Sequence, residues 1–153
     1  MNHRDLDMAE VVAVIGGILL GVSLFLGWYH LGNQYAALQG CHGPNADCSG
    51  WHAMKYLKFP VLIAALAPLV LTWVIVAGHK FSWPRGELTA VVAICALVLV
   101  VFRGIIDKPG TPQGEISVSI GWFVALLGGL LIFAGAITRA HESTTRKKPP
   151  GVL

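Results

Sequence analysis

Four long apolar segments divide the chain and predict its main elements. They cover residues 11–28, 59–77, 88–106 and 116–137. A helix rises about 1.5 Å per residue, so about 20 apolar residues cross the hydrocarbon core of a bilayer, which is roughly 30 Å thick. None of the four segments shows the strict alternation of apolar and polar residues that is typical of a membrane β-barrel strand. The pattern therefore predicts four transmembrane helices.

The composition indicates the same class of protein. Of the 153 residues, 55% are hydrophobic and only 12% are charged, and the mean hydropathy is +0.67. Soluble domains carry about 25% charged residues, and a soluble core of this size could not bury so much apolar surface. Disordered chains are excluded because they are poor in apolar residues. We therefore expect one all-α membrane domain over residues 1–153, a four-helix bundle surrounded by the lipid bilayer.

The residues before the first apolar segment differ from those of a secretory signal peptide. Asp5, Asp7 and Glu10 surround the single Arg4, whereas a signal peptide begins with a positively charged region. The apolar segment of 18 residues is also longer than the usual 7–15 residues of a signal peptide. We therefore expect residues 11–28 to remain as the first span.

Lysine and arginine residues are distributed unevenly between the two sides of the predicted bundle. Seven lie on the side of the N-terminus, the second loop and the tail, and four lie on the other side, three of them in the loops 29–58 and 107–115 and one, Arg103, at the end of the third span. The positive-inside rule then places both termini in the cytoplasm and these two loops outside the plasma membrane. Residues 139–153 are predicted to form a flexible tail, whose basic residues 146–148 would lie against anionic lipid headgroups.

Aromatic residues occur near the predicted membrane boundaries. Trp28, Tyr29 and Trp122 are expected in the headgroup layer, which amphipathic rings favour. Trp51 and Tyr56 lie in the first outer loop and are candidate contacts to a partner protein, because such side chains often dominate binding interfaces.

Two stripes of small residues predict how the first and last spans pack. They recur every four residues, at Ala13, Gly17 and Gly21 in the first span and at Gly121, Ala125 and Gly129 in the last. Small residues at this spacing let two helices approach closely. We expect these two spans to pack against each other, or one of them to face a partner protein.

Pro68 lies well inside the second span and should bend that helix, because proline removes a backbone hydrogen bond. The bend is either a packing feature or a place where a freed carbonyl lines a cavity, as in transporters. The second interpretation supports an alternative function as a small channel or carrier.

The first outer loop contains Cys41 and Cys48, which are expected to form a disulfide on the oxidising side of the membrane. An alternative is a metal site formed with His42 and His52, although the spacing matches no standard zinc pattern. A disulfide-forming redox enzyme is another alternative. Such four-span enzymes use a CxxC pair, whereas here six residues separate the cysteines, and Cys95 lies in the middle of a span.

The third span ends near a pair of opposite charges. Arg103 and Asp107 are four residues apart and can pair on one face of a helix. The arginine either extends to the outer headgroups with Asp107 as a local partner, or lies between helices and stabilises the outer end of the bundle.

Chemistry-bearing residues are missing from the spans. No Asp, Glu, Lys or His lies near the middle of any span, and all six histidines lie in loops or termini. Coupled transporters and haem proteins usually need such groups inside the membrane. The sequence also lacks phosphate-loop and hydrolase motifs. We therefore expect no catalytic residues, no cofactor and no resident metal, and the short basic run at the tail does not indicate nucleic-acid binding.

Three short motifs resemble a set of small four-span membrane proteins of actinobacteria. Residues 25–29 read Phe-Leu-Gly-Trp-Tyr, residues 102–110 read Phe-Arg-Gly-Ile-Ile-Asp-Lys-Pro-Gly, and residues 119–122 read Ser-Ile-Gly-Trp. Gly27 stands where these proteins usually have proline. The resemblance implies the four-span topology and an actinobacterial plasma membrane, and it implies no activity.

These observations together predict a non-enzymatic accessory or structural subunit of a larger membrane protein complex. Docking to the other subunits would use the small-residue helix faces and the first outer loop. The alternatives are a small channel or carrier for a neutral or lipid-like substrate, and a disulfide-linked membrane redox enzyme.

Overall fold

The computed structural model of the chain is mostly helical and describes residues 8–32, 35–38, 41, 45–77 and 85–146. Its elements are, in chain order, α1 (Met8–Ser23), β1 (Gly27–Leu31), β2 (Asp47–Ser49), α2 (Gly50–Ala53), α3 (Lys58–Val76), α4 (Arg85–Val101), a π-helical turn (Phe102–Ile106), a 3₁₀ turn (Gln113–Glu115), β3 (Ile116–Val118) and α5 (Ile120–Arg146).

Three helical segments within the described part of the chain are long and apolar enough to cross a membrane. They are Lys58–Val76, Glu87–Ile106 and Ile120–His141. Their outward faces carry large apolar side chains, such as Ile63 and Val70 on α3, which are 64% and 56% exposed. Water does not favour such faces, whereas lipid tails do, so the structure supports a membrane protein.

The first predicted span differs from the structure at its end. The helix α1 has 16 residues and ends at Ser23, whereas the span was predicted to continue to residue 28. The chain then turns and enters β1 at Gly27. Helix α1 is therefore about 24 Å long, which is shorter than the roughly 30 Å of a typical hydrocarbon core.

The expectation of an all-α domain is wrong because three short strands form an antiparallel sheet in the order β2-β1-β3. Tyr29 pairs with Cys48 on one side and with Val118 on the other. Residues 116–118 were predicted to begin the fourth span, but they form β3, and α5 begins at Ile120. We call β1, β2, β3 and α2, together with the loop residues 35–38 and 41, the cap.

The four long helices form a bundle in which each helix packs against two others. The cap lies at one end of this bundle. Helix α5 packs against α1 and α4, and α3 packs against α1 and α4. The tightest contact joins α1 to α5. A Cβ atom added to Gly16 would lie 2.7 Å from the Gly128 carbonyl oxygen, and one added to Gly135 would lie 2.5 Å from the Ala9 carbonyl oxygen.

Within this packing, the predicted small-residue stripes face several different neighbours. A Cβ atom on Gly17 would lie 2.6 Å from the Ala65 carbonyl oxygen of α3, and one on Gly129 would lie 2.7 Å from a Leu97 methyl group of α4. Gly121 lies against β1, and Gly21 has only the Ala65 methyl group nearby, at 3.8 Å.

Ala13 and Ala125 are also buried inside the chain. Ala13 contacts Gly135 of α5, so one member of the predicted α1 stripe does lie at the α1–α5 contact. Five of the six stripe residues are therefore covered by this chain's own helices or by β1, and a helical partner cannot use them.

The predicted flexible tail begins as helix. Helix α5 continues through residues 139–146 and ends at Arg146. The basic residues Lys147 and Lys148, which were expected to contact anionic lipid, lie outside the described residues.

Candidate functional site

The cap is built around Trp28, which is fully buried. Its indole Nε1 donates a hydrogen bond to the Ser23 carbonyl oxygen, 2.6 Å away, at the end of α1. Gly50 and Gly121 lie against the indole, and a Cβ atom at either position would come within 2.8 Å of it. These two glycines make room for the ring. Trp28 and Tyr29 therefore lie inside the protein, so their rings face protein and not lipid, and their depth in the headgroup layer stays a prediction.

Tyr29 connects the cap to the end of the third membrane helix. Its hydroxyl group donates a hydrogen bond to the Arg103 carbonyl oxygen, 2.9 Å away, although 74 residues separate the two in sequence. Burial raises the pKa of Tyr29 to about 12, while the Arg103 charge lowers that pKa and the Asp107 charge raises it. The hydroxyl group therefore remains protonated and able to donate at neutral pH.

The last turn of α4, directly before the π-helical turn Phe102–Ile106, receives a second aromatic donor. In such a turn the backbone N–H bonds five residues back, as Asp107 N–H does to the Phe102 carbonyl oxygen at 2.9 Å. The Trp122 indole Nε1 donates to the Val100 carbonyl oxygen, 2.8 Å away. Gly104 lies directly beneath that indole, since a Cβ atom there would overlap the ring. Trp122 is therefore also buried within the protein, and its depth in the headgroup layer stays a prediction.

Arg103 and Asp107 pair at the end of the π-helical turn, in the local arrangement. One guanidinium nitrogen of Arg103 donates to the Asp107 carboxylate and, at 3.2 Å, to the Asp107 carbonyl oxygen. The Arg103 side chain is 16% exposed and that of Asp107 is 47% exposed. In the described part of the chain, Arg103 Nε has no hydrogen-bond partner. The pair therefore stabilises the C-terminal end of the third apolar helical segment and gives the arginine charge a carboxylate partner.

The predicted disulfide between Cys41 and Cys48 is confirmed, with 5.9 Å between their Cα atoms. Cys48 is fully buried in β2, so the bond attaches the loop that contains Cys41 to the sheet. The same loop is also joined to the loop before β3. Ala37 and Thr111 exchange two backbone hydrogen bonds of 3.0 and 3.1 Å. These links connect the two loops to each other and to the sheet.

We expect reduction of the disulfide, or replacement of Cys41 and Cys48 by serine, to lower the free energy of unfolding by about 2.5 kcal/mol. The estimate follows from the loop-closure entropy of a ring this small. The measurement is chemical unfolding of the purified protein, followed by circular dichroism, with and without the bond. An unchanged midpoint would mean that the cap is held by its hydrogen bonds alone.

Because burial raises the pKa of Tyr29, we expect the free energy of unfolding to fall at high pH. The substitution Tyr29→Phe should abolish this dependence on pH. The pKa of Tyr29 is about 12 in the folded protein, against the ordinary tyrosine value of 10.0, so the folded state keeps the proton more strongly. The stabilisation is complete below pH 10 and is lost as the pH rises through 12. At pH 11 the wild type should have lost about 1 kcal/mol of stability relative to its neutral value.

The measurement is the unfolding midpoint of both proteins between pH 7 and pH 11. At neutral pH, Tyr29→Phe should be about 1 kcal/mol less stable than the wild type, because it lacks the hydrogen bond to Arg103. The two proteins should therefore converge at high pH. A constant difference across the range would show that the hydroxyl group does not titrate as described.

The residues of the alternative metal site are not brought together in the part of the chain that the structure describes. Cys41 and Cys48 are joined to each other, and His52 Nδ1 lies 2.9 Å from the Ser49 hydroxyl group. His42 lies outside the described residues. Among those that are described, no group of three histidine, cysteine or carboxylate side chains could hold a metal ion.

The two candidate partner contacts have different surroundings. Trp51 is half-buried and stacks on Phe25, with 5.6 Å between ring centroids and 13° between ring planes. Tyr56 is 72% exposed. Tyr35, which sequence reasoning did not select, is 75% exposed on the loop of the cap. Tyr35 and Tyr56 therefore offer more ring surface to a partner than Trp51 does.

Pro68 occupies a space that Gly17 provides. A Cβ atom on Gly17 would lie 2.8 Å from the proline ring, so α1 and α3 are in close contact at this point. The Pro68 carbonyl oxygen accepts a hydrogen bond from the Thr72 hydroxyl group at 2.8 Å. These contacts favour the interpretation of the proline as a packing feature.

A second polar site lies at the opposite end of the bundle, and sequence reasoning missed it. Glu10 of α1 and Arg139 of α5 form an ion pair, with 3.0 Å between Oε1 and Nη2. Their side chains are only 9% and 18% exposed. The sequence could have indicated this pair, because one carboxylate and one guanidinium lie at the same predicted end of the first and last spans.

Comparisons of this chain with protein-family models, with curated proteins and with solved structures found no match.

Proposed function

We propose that this chain is a non-enzymatic accessory subunit of a larger membrane protein complex and that it docks through its cap. The observation that carries the proposal is the construction of the cap. A disulfide, a sheet and the buried donors Trp28, Tyr29 and Trp122 fix a short extramembrane surface. A surface that is already ordered loses little entropy when a partner binds, so its contacts contribute fully to affinity.

The distribution of accessible surface also supports docking through the cap. Five of the six stripe residues are buried within the chain, so close helix–helix docking through them is not available to a partner. The cap instead presents the exposed aromatic ring of Tyr35, and Tyr56 is exposed beside the cap, between α2 and α3. Tyrosine is enriched among the residues that dominate protein interfaces. We further propose that the cap faces outward from the plasma membrane and that both termini are cytoplasmic, as the distribution of lysine and arginine favours.

The test is site-specific photo-crosslinking in native membranes. A benzophenone amino acid replaces Tyr35 in the cap or Tyr56 next to it, and the matched control carries it at Trp73 of α3, an aromatic residue that is 69% exposed. We expect a discrete adduct with another protein from positions 35 and 56 and none from position 73. An adduct from position 73 alone, or a single-chain particle after extraction in mild detergent with no adduct, would contradict the proposal.

A further inference from the structure

Aromatic rings and two lysines form a cluster where the cap meets α1 and α3. Its members are Phe25, Trp51, Lys55, Tyr56, Lys58 and Phe59, and we call them the boundary cluster. The Lys58 ammonium group lies 4.6 Å from the centroid of the Trp51 ring and 5.6 Å from that of Phe59. The Lys55 ammonium group lies 5.4 Å from the centroid of Tyr56. Both lysine charges are therefore held against aromatic faces at the protein surface.

The charge of the boundary cluster is not neutralised by neighbouring residues in the sequence. No aspartate or glutamate occurs from residue 48 to residue 86. The preceding carboxylate, Asp47, lies 2.9 Å from His30. Across the described residues, neither Lys55 nor Lys58 takes part in an ion pair. The cluster therefore carries two positive charges that are available to an anion.

The boundary cluster also adjoins the apolar outward faces of α1 and α3. Phe25 and Phe59 are 68% and 52% exposed, and each continues the apolar outward face of its helix, with Val22 on α1 and Ile63 on α3. On the other side lies the polar surface of the cap. Aromatic rings and lysine side chains that extend toward water are typical of the interface between hydrocarbon and headgroups.

We propose that Lys55 and Lys58 bind the phosphate of an anionic phospholipid headgroup, with the stacked rings of Trp51 and Phe25 beneath its glycerol backbone. The acyl chains then continue along the apolar faces of α1 and α3. The two ammonium groups attract the negative charge of an anionic headgroup, and they repel the quaternary ammonium of a zwitterionic lipid. This proposal concerns lipid and does not depend on a protein partner.

The experiment measures retained lipid on the full chain by native mass spectrometry. The delipidated protein in detergent is titrated with phosphatidylglycerol, with phosphatidylcholine, and with phosphatidylglycerol in an excess of inorganic phosphate. The variants are Lys55→Gln/Lys58→Gln and Lys55→Arg/Lys58→Arg. Lys108→Gln is the matched control, because Lys108 donates to the Ile116 carbonyl oxygen, outside the boundary cluster.

We expect phosphatidylglycerol to bind the wild type more tightly than phosphatidylcholine and to resist displacement by inorganic phosphate. The double glutamine variant should bind it about 20-fold more weakly, since each cation near a membrane surface contributes about fivefold. The arginine variant and Lys108→Gln should bind as the wild type does. Equal binding of the two lipids, unchanged binding by the double glutamine variant, or displacement by inorganic phosphate would each overturn the proposal.

Discussion

Replacing Gly128 by alanine should destabilise the protein by about 2–3 kcal/mol, because the added methyl group meets backbone and not a movable side chain. The new Cβ atom would lie 2.7 Å from the Leu20 amide nitrogen and 2.8 Å from the Gly16 carbonyl oxygen, both on α1. Neither atom can move unless the whole helix shifts away from α5. Gly16→Ala should have a similar effect, since its Cβ atom would lie 2.7 Å from the Gly128 carbonyl oxygen.

The matched control is Gly21→Ala, on α1 like Gly16. The nearest atom to its Cβ would be the Ala65 methyl group at 3.8 Å, an ordinary contact distance. Alanine favours the helix over glycine by up to about 1 kcal/mol, so this variant should be as stable as the wild type or more stable. The measurement is reversible unfolding in mixed micelles of denaturing and mild detergent, followed by circular dichroism. If Gly21→Ala is the more damaging variant, the α1–α5 contact described above is wrong.

This pair of variants separates what the sequence could predict about packing from what it could not. Spacing alone identified Gly17 and Gly21 as a face for close approach, because small residues four apart align on a helix. The spacing does not say which neighbour each residue meets. Gly17 meets α3 at Ala65, whereas Gly16, one position earlier, meets α5. Which helix each glycine contacts depends on how all four helices are arranged, and that arrangement follows from contacts between residues far apart in the sequence.

The membrane helices themselves were predictable because length and hydropathy are properties of a segment. Residues 59–77 were predicted as a span, and the helix covers Lys58–Val76. The cap was not predictable in this way. Trp28 is as apolar as a lipid-facing residue, so hydropathy alone extends the first span through it, although it is buried in protein. A hydropathy pattern does not distinguish a side chain surrounded by lipid from one surrounded by its own chain.

The cap site was predictable only in part. The disulfide was predicted from two cysteines in one loop that was expected on the oxidising side, and the pairing of Arg103 with Asp107 was predicted from their helical spacing. The hydrogen bond from Tyr29 to Arg103 joins residues 74 positions apart. No local pattern signals it, because it depends on β1 folding back over the end of α4.

Replacing Arg139 by methionine should lower the free energy of unfolding by about 3 kcal/mol, since it leaves the Glu10 carboxylate buried without the guanidinium. The two side chains are 9% and 18% exposed and lie 3.0 Å apart, so water does little to solvate the remaining charge. The same unfolding measurement in mixed micelles gives the difference. As a control, Asp47→Asn removes one partner of the exposed pair with His30, whose side chains are 64% and 40% exposed, and should change stability by less than about 0.5 kcal/mol.

The double variant Glu10→Gln/Arg139→Met tests whether the loss comes from burying the Glu10 carboxylate without the Arg139 guanidinium. Removing both charges eliminates the buried carboxylate, so the double variant should be more stable than Arg139→Met alone, by about half of the original loss. The pair joins the start of α1 to the last part of α5, whereas the cap joins the same helices at their other ends. If the double variant is as unstable as Arg139→Met, the methylene groups of the arginine stabilise this end through packing, and the ion pair contributes little.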